Sequence, residues 1–253
     1  MTIDFPKEEQ IPQLRTLWQE AFGDEDAYLD QFQETGFSPE RCRCVTCDGQ
    51  IAAALYWFPC FCRGKQIAYL YAVATKKGFR HQGLCLRLLE DTHACLQEQG
   101  YAGAILMPAN EGLYFLYEKA GYKPATQIGE FSCKAQGEPV QIQKISGEDY
   151  DSLRALYLPA GSVIQGDAAI AFLETQAEFY QGDGFLLCGC ADGTHLQVQE
   201  YLGKKELAPR ILRALHLEEG LFRGPGAERM FTMYLPLTPE GREFPTYFGL
   251  PLD

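Results

Sequence analysis

The chain has 253 residues, of which 46% are hydrophobic and 22% charged, and this composition predicts a globular protein of one large or two small domains. Its formal net charge of −12 argues against nucleic acid as a partner, because an acidic surface repels phosphate backbones. The N-terminal residues lack the basic and apolar stretches of a signal peptide, and the longest apolar run, residues 51–61, is shorter than the ~20 residues that cross a bilayer. We therefore expect a cytoplasmic protein without a membrane partner.

Apolar side chains recur at helical spacing over residues 8–22, where Gly23 is a typical helix end. A second short helix is predicted at residues 27–33. The Asp48-Gly49 pair is a hairpin signal between predicted strands at 42–46 and 52–61. Further elements are predicted in the order strand 67–74, helix 83–99, strand 101–107, helix 112–120 and strand 128–133. This order predicts an α/β fold in which helices cover a mixed sheet.

Residues 134–139 are the predicted linker, which divides the chain into domains 1–135 and 140–253. The second half is predicted to contain helices at 147–157, 167–180 and 206–217, and strands at 184–191, 195–201, 229–235 and 246–250. This order partly repeats that of the first half, although no residue-level repeat is present.

Ten cysteines occur in the chain, five of them between residues 42 and 62. Cys42 and Cys44 are spaced two apart, which places both side chains on one face of a strand, whereas zinc knuckles use C-x(2–4)-C around a turn. We expect small buried thiols in a reducing compartment and no metal.

Residues 69–89 read YLYAVATKKGFRHQGLCLRLL, a strand followed by a glycine-containing turn and a helix. The first N–H groups of a helix have no partner within it, so such a turn favours anions, diphosphates above all. Lys76, Lys77, Arg80 and Arg87 lie in this segment without a carboxylate between residues 76 and 89. The alternative interpretation is a solvated basic helix start.

Arg80, Gly83 and Cys85 resemble the R-x-x-G-x-(G/A) motif with which the GCN5-related N-acetyltransferases (GNAT family) bind the acetyl-CoA pyrophosphate. Cys85 departs from the small third residue of the motif. The resemblance implies a GNAT-like acyltransferase fold with the pyrophosphate on the amides of residues 82–84, and backbone amides near the end of the preceding strand that polarise the thioester carbonyl. The cofactor-binding residues it implies in this segment are Ala72, Val73, Ala74, Arg80, His81, Gln82, Gly83, Leu84 and Cys85.

A second segment, residues 110–122, reads NEGLYFLYEKAGY and resembles the N-x(6)-Y-x(3)-G-(F/Y) pattern of the same family. Asn110, Tyr117, Gly121 and Tyr122 match it. The resemblance implies that Asn110 contacts the pantetheine arm and that Tyr117 protonates the departing thiolate, a role that suits a phenol with a pKa near ~10. The alternative for Tyr117 is a core aromatic residue.

The resemblance implies an acetyltransferase in which a small-molecule or peptide amine attacks acetyl-CoA directly in a ternary complex, without a metal. The general base stays open among water, Glu111 and a carboxylate from elsewhere, including that of the C-terminal Asp253. Residues 246–252 are nearly all apolar and form either a last strand or a segment that delivers this terminus.

The second half lacks the pyrophosphate motif and resembles a degenerate acetyltransferase-like lobe, which would cover the acceptor cleft or form a homodimer. Two alternatives to the enzyme are a CoA-binding sensor without turnover and a peptidoglycan aminoacyl-ligase. The ligases lack the pyrophosphate motif and need a basic groove for their aminoacyl-tRNA.

Overall fold

A computed structural model of the chain describes residues 1–252, and its residue contacts divide the chain into two compact units. The first unit comprises Met1–Pro124 and Met233–Phe244, and the second comprises Ala125–Thr232 and Pro245–Asp253. Each unit has its own mixed sheet and its own apolar core. No helix within the described part of the chain is long and apolar enough to span a bilayer.

The secondary structure alternates between short helices and strands along the chain. The α-helices are α1 Ile11–Phe22, α2 Asp26–Gln31, α3 Leu84–Glu98, α4 Glu111–Lys119, α5 Gly147–Arg154, α6 Asp167–Glu174 and α7 Ala208–Ala214. The strands are β1 Thr2–Asp4, β2 Cys42–Cys47, β3 Gln50–Cys62, β4 Lys65–Thr75, β5 Gly103–Leu106, β6 Lys123–Pro124, β7 Gln127–Lys134, β8 Ile142–Ile145, β9 Ile164–Gln165, β10 Glu178–Gly182, β11 Phe185–Asp192, β12 His195–Gly203, β13 Glu219–Pro225, β14 Arg229–Met230 and β15 Met233–Pro236.

The sheet of the first unit has the order β1-β2-β3-β4-β5-β15-β6, and helices pack on both of its faces. On one face Leu70 shares a core with Leu84 and Leu88 of α3 and with Tyr117 of α4. On the other face Trp18 of α1 packs against Tyr56 and Tyr71, with ring centroids 5.2 and 5.6 Å away. The predicted mixed α/β fold is confirmed for this unit.

Local sequence signals account for the ends of several elements. Helix α1 ends at Gly23, which has a left-handed φ of 79° that glycine adopts without strain. Asp48 and Gly49 have φ values of 48° and 78°, the conformation of a tight hairpin turn between β2 and β3. The predicted hairpin is therefore confirmed.

The cysteines of this sheet are small core residues, as predicted. Cys42, Cys44, Cys60 and Cys62 are all buried, and all ten thiols of the chain are free. Burial raises the pKa of Cys44 to about 11. Among residues 1–252, no group of three His, Cys, Asp or Glu side chains is positioned to hold a metal ion.

The sheet of the second unit has the order β14-β7-β13-β12-β11-β10-β8. The predicted helix at 167–180 is too long, because α6 ends at Glu174 and residues 178–182 form β10 between β11 and β8. Phe179 and Tyr180 favour a strand, and the pairing to two neighbours decides the conformation. The predicted strand at 229–235 is two strands, since β14 joins the second sheet while β15 lies between β5 and β6 of the first.

The division into units lies elsewhere than the predicted boundary at residues 135–140. Strand β7 pairs with β13 from Ile128 to Lys134 and with β14 at Gln127 and Ile128, so residues 127–134 belong to the second unit. The predicted linker is not a linker, because Ala135 and Val140 pack against the core formed by Phe185, Tyr201 and Phe222. The polar, glycine-containing composition of 134–139 reflects a surface connection within one unit.

The C-terminal segment, predicted as a strand at 246–250, is irregular. Its aromatic side chains are nevertheless buried in the second unit, since Tyr247 and Phe248 are 2% and 0% exposed. Val163 donates a backbone hydrogen bond to the Tyr247 carbonyl at 2.9 Å. Proline residues 245 and 251 flank the segment and remove the N–H donors that a regular ladder needs.

A fully buried ion pair supports this unit. The Arg154 Nε and Nη2 atoms donate to the two Glu200 carboxylate oxygens at 2.5 and 2.8 Å, and both side chains are 0% exposed. Tyr150 donates to the same carboxylate at 3.0 Å, and Arg154 Nη1 donates to Gln165 Oε1 at 2.6 Å. The Gln165 amide in turn donates to the Gly249 carbonyl, which connects the pair to the C-terminal segment.

We expect Glu200→Gln to lower the free energy of unfolding by about 3–5 kcal/mol, because it leaves the Arg154 charge buried and uncompensated. Urea unfolding of the full chain measures the change. Lys144→Gln is the matched control, since the Lys144–Glu178 pair is 62% and 50% exposed and should contribute less than ~1 kcal/mol. Equal losses in the two variants would contradict a special role for the buried pair.

Candidate functional site

The pairing between β4 and β5 ends halfway along β4. The two strands are parallel and pair from Ile67–Gly103 to Leu70–Leu106, whereas β4 continues to Thr75. Between its Tyr71–Tyr56 and Ala74–Ala54 pairs with β3, β4 has one residue more than β3. Ala72, within this bulge, has a left-handed φ of 48°.

The bulge contains two of the three strand residues implied by the resemblance, and Ala74 follows it. Ala72 and Val73 are partly exposed, whereas Ala74 is buried. A left-handed alanine costs about 1–2 kcal/mol relative to its ordinary conformation, and bulges bend a strand and redirect its backbone groups. The bulge therefore changes the direction of the β4 backbone groups just beyond the point where its pairing with β5 ends.

The turn after β4 presents backbone N–H groups at the start of α3. A short 3-10 turn at Lys77–Phe79 is followed by Arg80 in an extended conformation. His81 and Gly83 then have left-handed φ values of 63° and 75°, and Gly83 is the N-cap of α3 without a side-chain cap. An added Cβ on Gly83 would meet no atom within 4 Å, so the space in front of the helix is open to a ligand.

The charges around this turn are mixed. Arg80, His81, Gln82 and Gly83 are exposed, and the Arg80 Nε donates to the Thr75 carbonyl at 3.0 Å, which holds the guanidinium beside the turn. One carboxylate at this turn was not predicted. The Glu20 side chain of α1 accepts a hydrogen bond from the Lys77 backbone N–H at 2.6 Å. Glu20 lies 57 positions before Lys77 in the chain, so only the fold reveals the contact.

Helix α4 carries the second predicted motif, and its geometry explains the spacing. Asn110 is the extended N-cap, and its side chain makes no capping bond. Tyr117 follows seven residues later, hence on nearly the same helix face and about 10 Å further along the axis. Gly121, with φ of 93°, ends the helix so that the Tyr122 N–H bonds the Tyr117 carbonyl at 3.0 Å.

Tyr122 supports Tyr117 directly. The two rings pack edge to face with centroids 6.0 Å apart, and Tyr122 is fully buried. Within residues 1–252, the Tyr117 hydroxyl has no hydrogen-bond partner. Burial raises the pKa of Tyr117 well above 10, and the nearby Cys85 thiol adds to this shift. Tyr117 is therefore a neutral phenol with a proton to donate across the physiological pH range.

His93 lies behind Tyr122 and completes this support. Its Nε2 atom is 2.8 Å from the Tyr122 hydroxyl, and burial lowers the pKa of His93 to about 4. The imidazole is thus neutral at pH 7. No sequence motif indicated this pairing.

The depressed His93 pKa predicts a loss of stability on acidification. In the unfolded chain His93 takes up a proton below its ordinary pKa of ~6.5, whereas in the folded chain it does so only near pH 4. The free energy of unfolding therefore falls as the pH falls from ~6.5 to about 4. Between pH 7 and 4.5, the free energy of unfolding should drop by about 2 kcal/mol more in the wild-type chain than in His93→Gln. Urea titrations at both pH values test this, and parallel losses in the two proteins would refute it.

The turn, the strand opening and α4 meet at one place. Val73, Cys85 and Leu113 all pack against the core cluster that contains Leu70 and Tyr117. The Gly83-capped start of α3, the bulged part of β4 and the Tyr117 phenol thus border the same core cluster. Free helix N–H groups favour anions, and a neutral phenol can donate a proton.

Glu111 and Asp253 are the two side chains predicted as candidates for the general base. Glu111 is exposed at the start of α4, two turns from Tyr117. Asp253 lies outside the described residues, so its predicted role stays a prediction. A different acidic side chain, Asp24, lies beside the aromatic cluster that contains Tyr71, and no sequence motif pointed to it.

The sequence and the fold are both similar to those of known proteins. The profile described as an acetyltransferase (GNAT) domain matches residues 2–125, and no curated protein matches the chain. The fold resembles the crystal structure of a GCN5-related N-acetyltransferase from Anabaena variabilis ATCC 29413, with a TM-score of 0.72 at 16% identity over 94% of this chain and 73% of that one.

Two further solved structures resemble nearly the whole chain. A GCN5-related N-acetyltransferase from Kribbella flavida gives a TM-score of 0.70 at 16% identity, over 92% of this chain and 70% of that one. Eis1 from Mycobacterium abscessus gives 0.67 at 12% identity, over 94% and 74%. At these identities the likeness shows the fold: a GNAT fold in the N-terminal part and a second GNAT-like sheet in the C-terminal part.

Proposed function

Because residues 2–125 belong to the GNAT acetyltransferase family, whose members use acyl-CoA, we propose that this protein transfers an acetyl group from acetyl-CoA to an amine. The observation that carries the proposal is that β4 ends its pairing with β5 at Leu70–Leu106 and then leads through a bulge and a short turn into the Gly83-capped start of α3. An acyl-CoA donor has a diphosphate and an extended pantetheine arm, and this pair of features suits both.

The residues fit such a donor in three places. The amides of residues 82–84 and the Arg80 side chain would hold the pyrophosphate, since Gly83 leaves free the space that a Cβ would fill. Asn110, whose side chain is not used as a cap, would bind the pantetheine arm. The bulge at Ala72 and Val73 would direct N–H groups at the thioester carbonyl.

Tyr117 supplies the proton that the reaction needs. The attacking amine forms a C–N bond as the C–S bond breaks, and Tyr117 donates its proton to the departing sulfur. Its raised pKa keeps the phenol protonated until that moment. The ammonium loses one proton to solvent before the attack, and the nitrogen loses a second one to solvent as the amide forms. This second proton balances the one that Tyr117 gives to the sulfur and regains from solvent. We propose that acetyl-CoA and the amine are bound at the same time, because direct attack by the amine needs no enzyme nucleophile to carry the acetyl group.

The proposal extends to the cell compartment. All ten cysteines are free, which supports the reducing cytoplasm, because disulfides form in oxidising compartments. The proposed acceptor is a small-molecule or peptide amine.

The test is release of free thiol from acetyl-CoA against a panel of polyamines, aminoglycosides, amino acids and peptide N-termini. Acceptor-dependent release supports the transferase. The alternative function, a CoA-binding sensor, predicts acetyl-CoA binding in calorimetry with no thiol release beyond the rate without acceptor.

A further inference from the structure

An aromatic cluster lies on the face of the first sheet opposite α3. Trp18 of α1 is central to it, with ring centroids 5.6 Å from Tyr71 of β4 and 6.4 Å from Tyr28 of α2. Phe32 packs on Trp18 at 4.7 Å. Most of this cluster is core, but Tyr28 and Tyr71 are partly exposed.

The exposed edge of the cluster is polar. The hydroxyls of Tyr28 and Tyr71 are 2.5 Å apart, although the residues are 43 positions apart in the chain. Asp24, also partly exposed, accepts a hydrogen bond from Trp18 Nε1 at 2.7 Å through its Oδ2 atom. Burial, the Tyr28 contact and the nearby Asp24 charge all raise the pKa of Tyr71, so its phenol is neutral at pH 7.

This edge lies where β4 leaves β5. Tyr71 is the residue directly after the last pair between the two strands, Leu70–Leu106, and directly before Ala72. Leu70 points to the face that carries Tyr117, and Tyr71 points to the opposite face because side chains alternate along a strand. A thioester held in the opening with its sulfur toward Tyr117 is therefore approached by the acceptor from the side of Tyr71.

We infer that Tyr28, Tyr71 and Asp24 form the subsite that binds the primary ammonium group of the acceptor. The inference rests on the proposed acetyl transfer and specifies its substrate class. Each part suits a cation: the hydroxyl oxygens accept N–H hydrogen bonds, the ring faces attract positive charge, and the carboxylate that Trp18 holds supplies a full negative charge. The tight aromatic packing behind the hydroxyls favours a slender, unbranched primary amine over a branched one.

The sharpest test changes one polar group at a time. Asp24→Asn, Tyr71→Phe and Tyr28→Phe keep the size of each side chain, and Tyr157→Phe, an exposed residue of the second unit, is the matched control. For each variant, KM is measured separately for acetyl-CoA and for the amine of the panel with the highest kcat/KM. We expect Asp24→Asn and Tyr71→Phe to raise the amine KM at least ~10-fold and to leave the acetyl-CoA KM within about twofold.

A binding measurement gives an answer that does not depend on turnover. n-Hexylamine is titrated into the full chain in the presence of CoA, with tryptophan fluorescence as the signal, and n-hexanol serves as its uncharged counterpart. Trp18 should respond to the amine, while Trp57, buried in the core on the other face, gives a constant background. The alcohol should leave the emission unchanged, and Asp24→Asn should weaken the amine response at least ~10-fold.

The outcomes separate the two proposals. If acetyl-CoA does not bind, the proposed function fails. If acetyl-CoA binds and amines are acetylated, but the three variants keep the wild-type amine KM or hexanol and hexylamine act alike, the ammonium subsite alone is overturned. If circular dichroism shows that Tyr71→Phe folds poorly, the amine KM of Asp24→Asn, a substitution at a partly exposed residue, tests the ammonium subsite by itself.

Discussion

Gly83→Val is expected to weaken acetyl-CoA binding at least ~100-fold, equivalent to about 2.7 kcal/mol. Valine at φ of 75° is strained, and its branched side chain would occupy the open space in front of the α3 amides. The pyrophosphate would then be unable to approach the backbone N–H groups of residues 82–84. Isothermal titration calorimetry of the purified chain with acetyl-CoA measures the effect.

The same helix provides a closely matched control. Gly100, just beyond the C-terminal end of α3, has φ of 83°, and a Cβ there would also meet no atom within 4 Å. Gly100→Val therefore imposes similar backbone strain without approaching the proposed donor site. If both variants lose binding equally, the loss reflects strain in α3, and the assignment of the pyrophosphate site fails.

The first unit follows its sequence closely because its signals are local. The stop of α1 at Gly23, the hairpin at Asp48-Gly49 and the turn into α3 each depend on residues within a few positions of one another. The spacing of Asn110, Tyr117, Gly121 and Tyr122 is local as well, since one helix with a glycine C-terminus fixes all four. In such segments, a sequence resemblance to a family directly predicts the local backbone geometry.

The structure departs from expectation where pairing over long distances decides it. Strand β15 enters the first sheet between β5 and β6, more than 100 positions after both, and no local pattern indicates this. Residues 178–182 have an apolar pattern compatible with helix or strand, and their two neighbours select the strand. The Tyr28–Tyr71 pair was not foreseen for a related reason, because it depends on how α2 packs on the sheet.

Tyr117→Phe is expected to lower kcat by at least ~10²-fold, the usual size of an acid–base contribution, with little change in the KM for acetyl-CoA. The substitution removes only the hydroxyl, and the ring would keep its edge-to-face contact with Tyr122. The loss follows because the departing thiolate, with an ordinary pKa near ~8.5, would leave without a proton donor. Steady-state thiol release with both substrates varied measures kcat and both KM values.

Tyr114→Phe is the matched control, because Tyr114 lies on the same helix and packs against the same core without being assigned a part in the reaction. The pH profile supplies a further criterion. Since the Tyr117 pKa is raised by burial, wild-type kcat should rise with pH as the amine loses its proton and should show no decline from phenol ionisation up to about pH 10. A Tyr117→Phe enzyme with wild-type kcat would identify Tyr117 as a core aromatic residue, and the leaving sulfur would then take its proton from water that enters through the opening between β4 and β5.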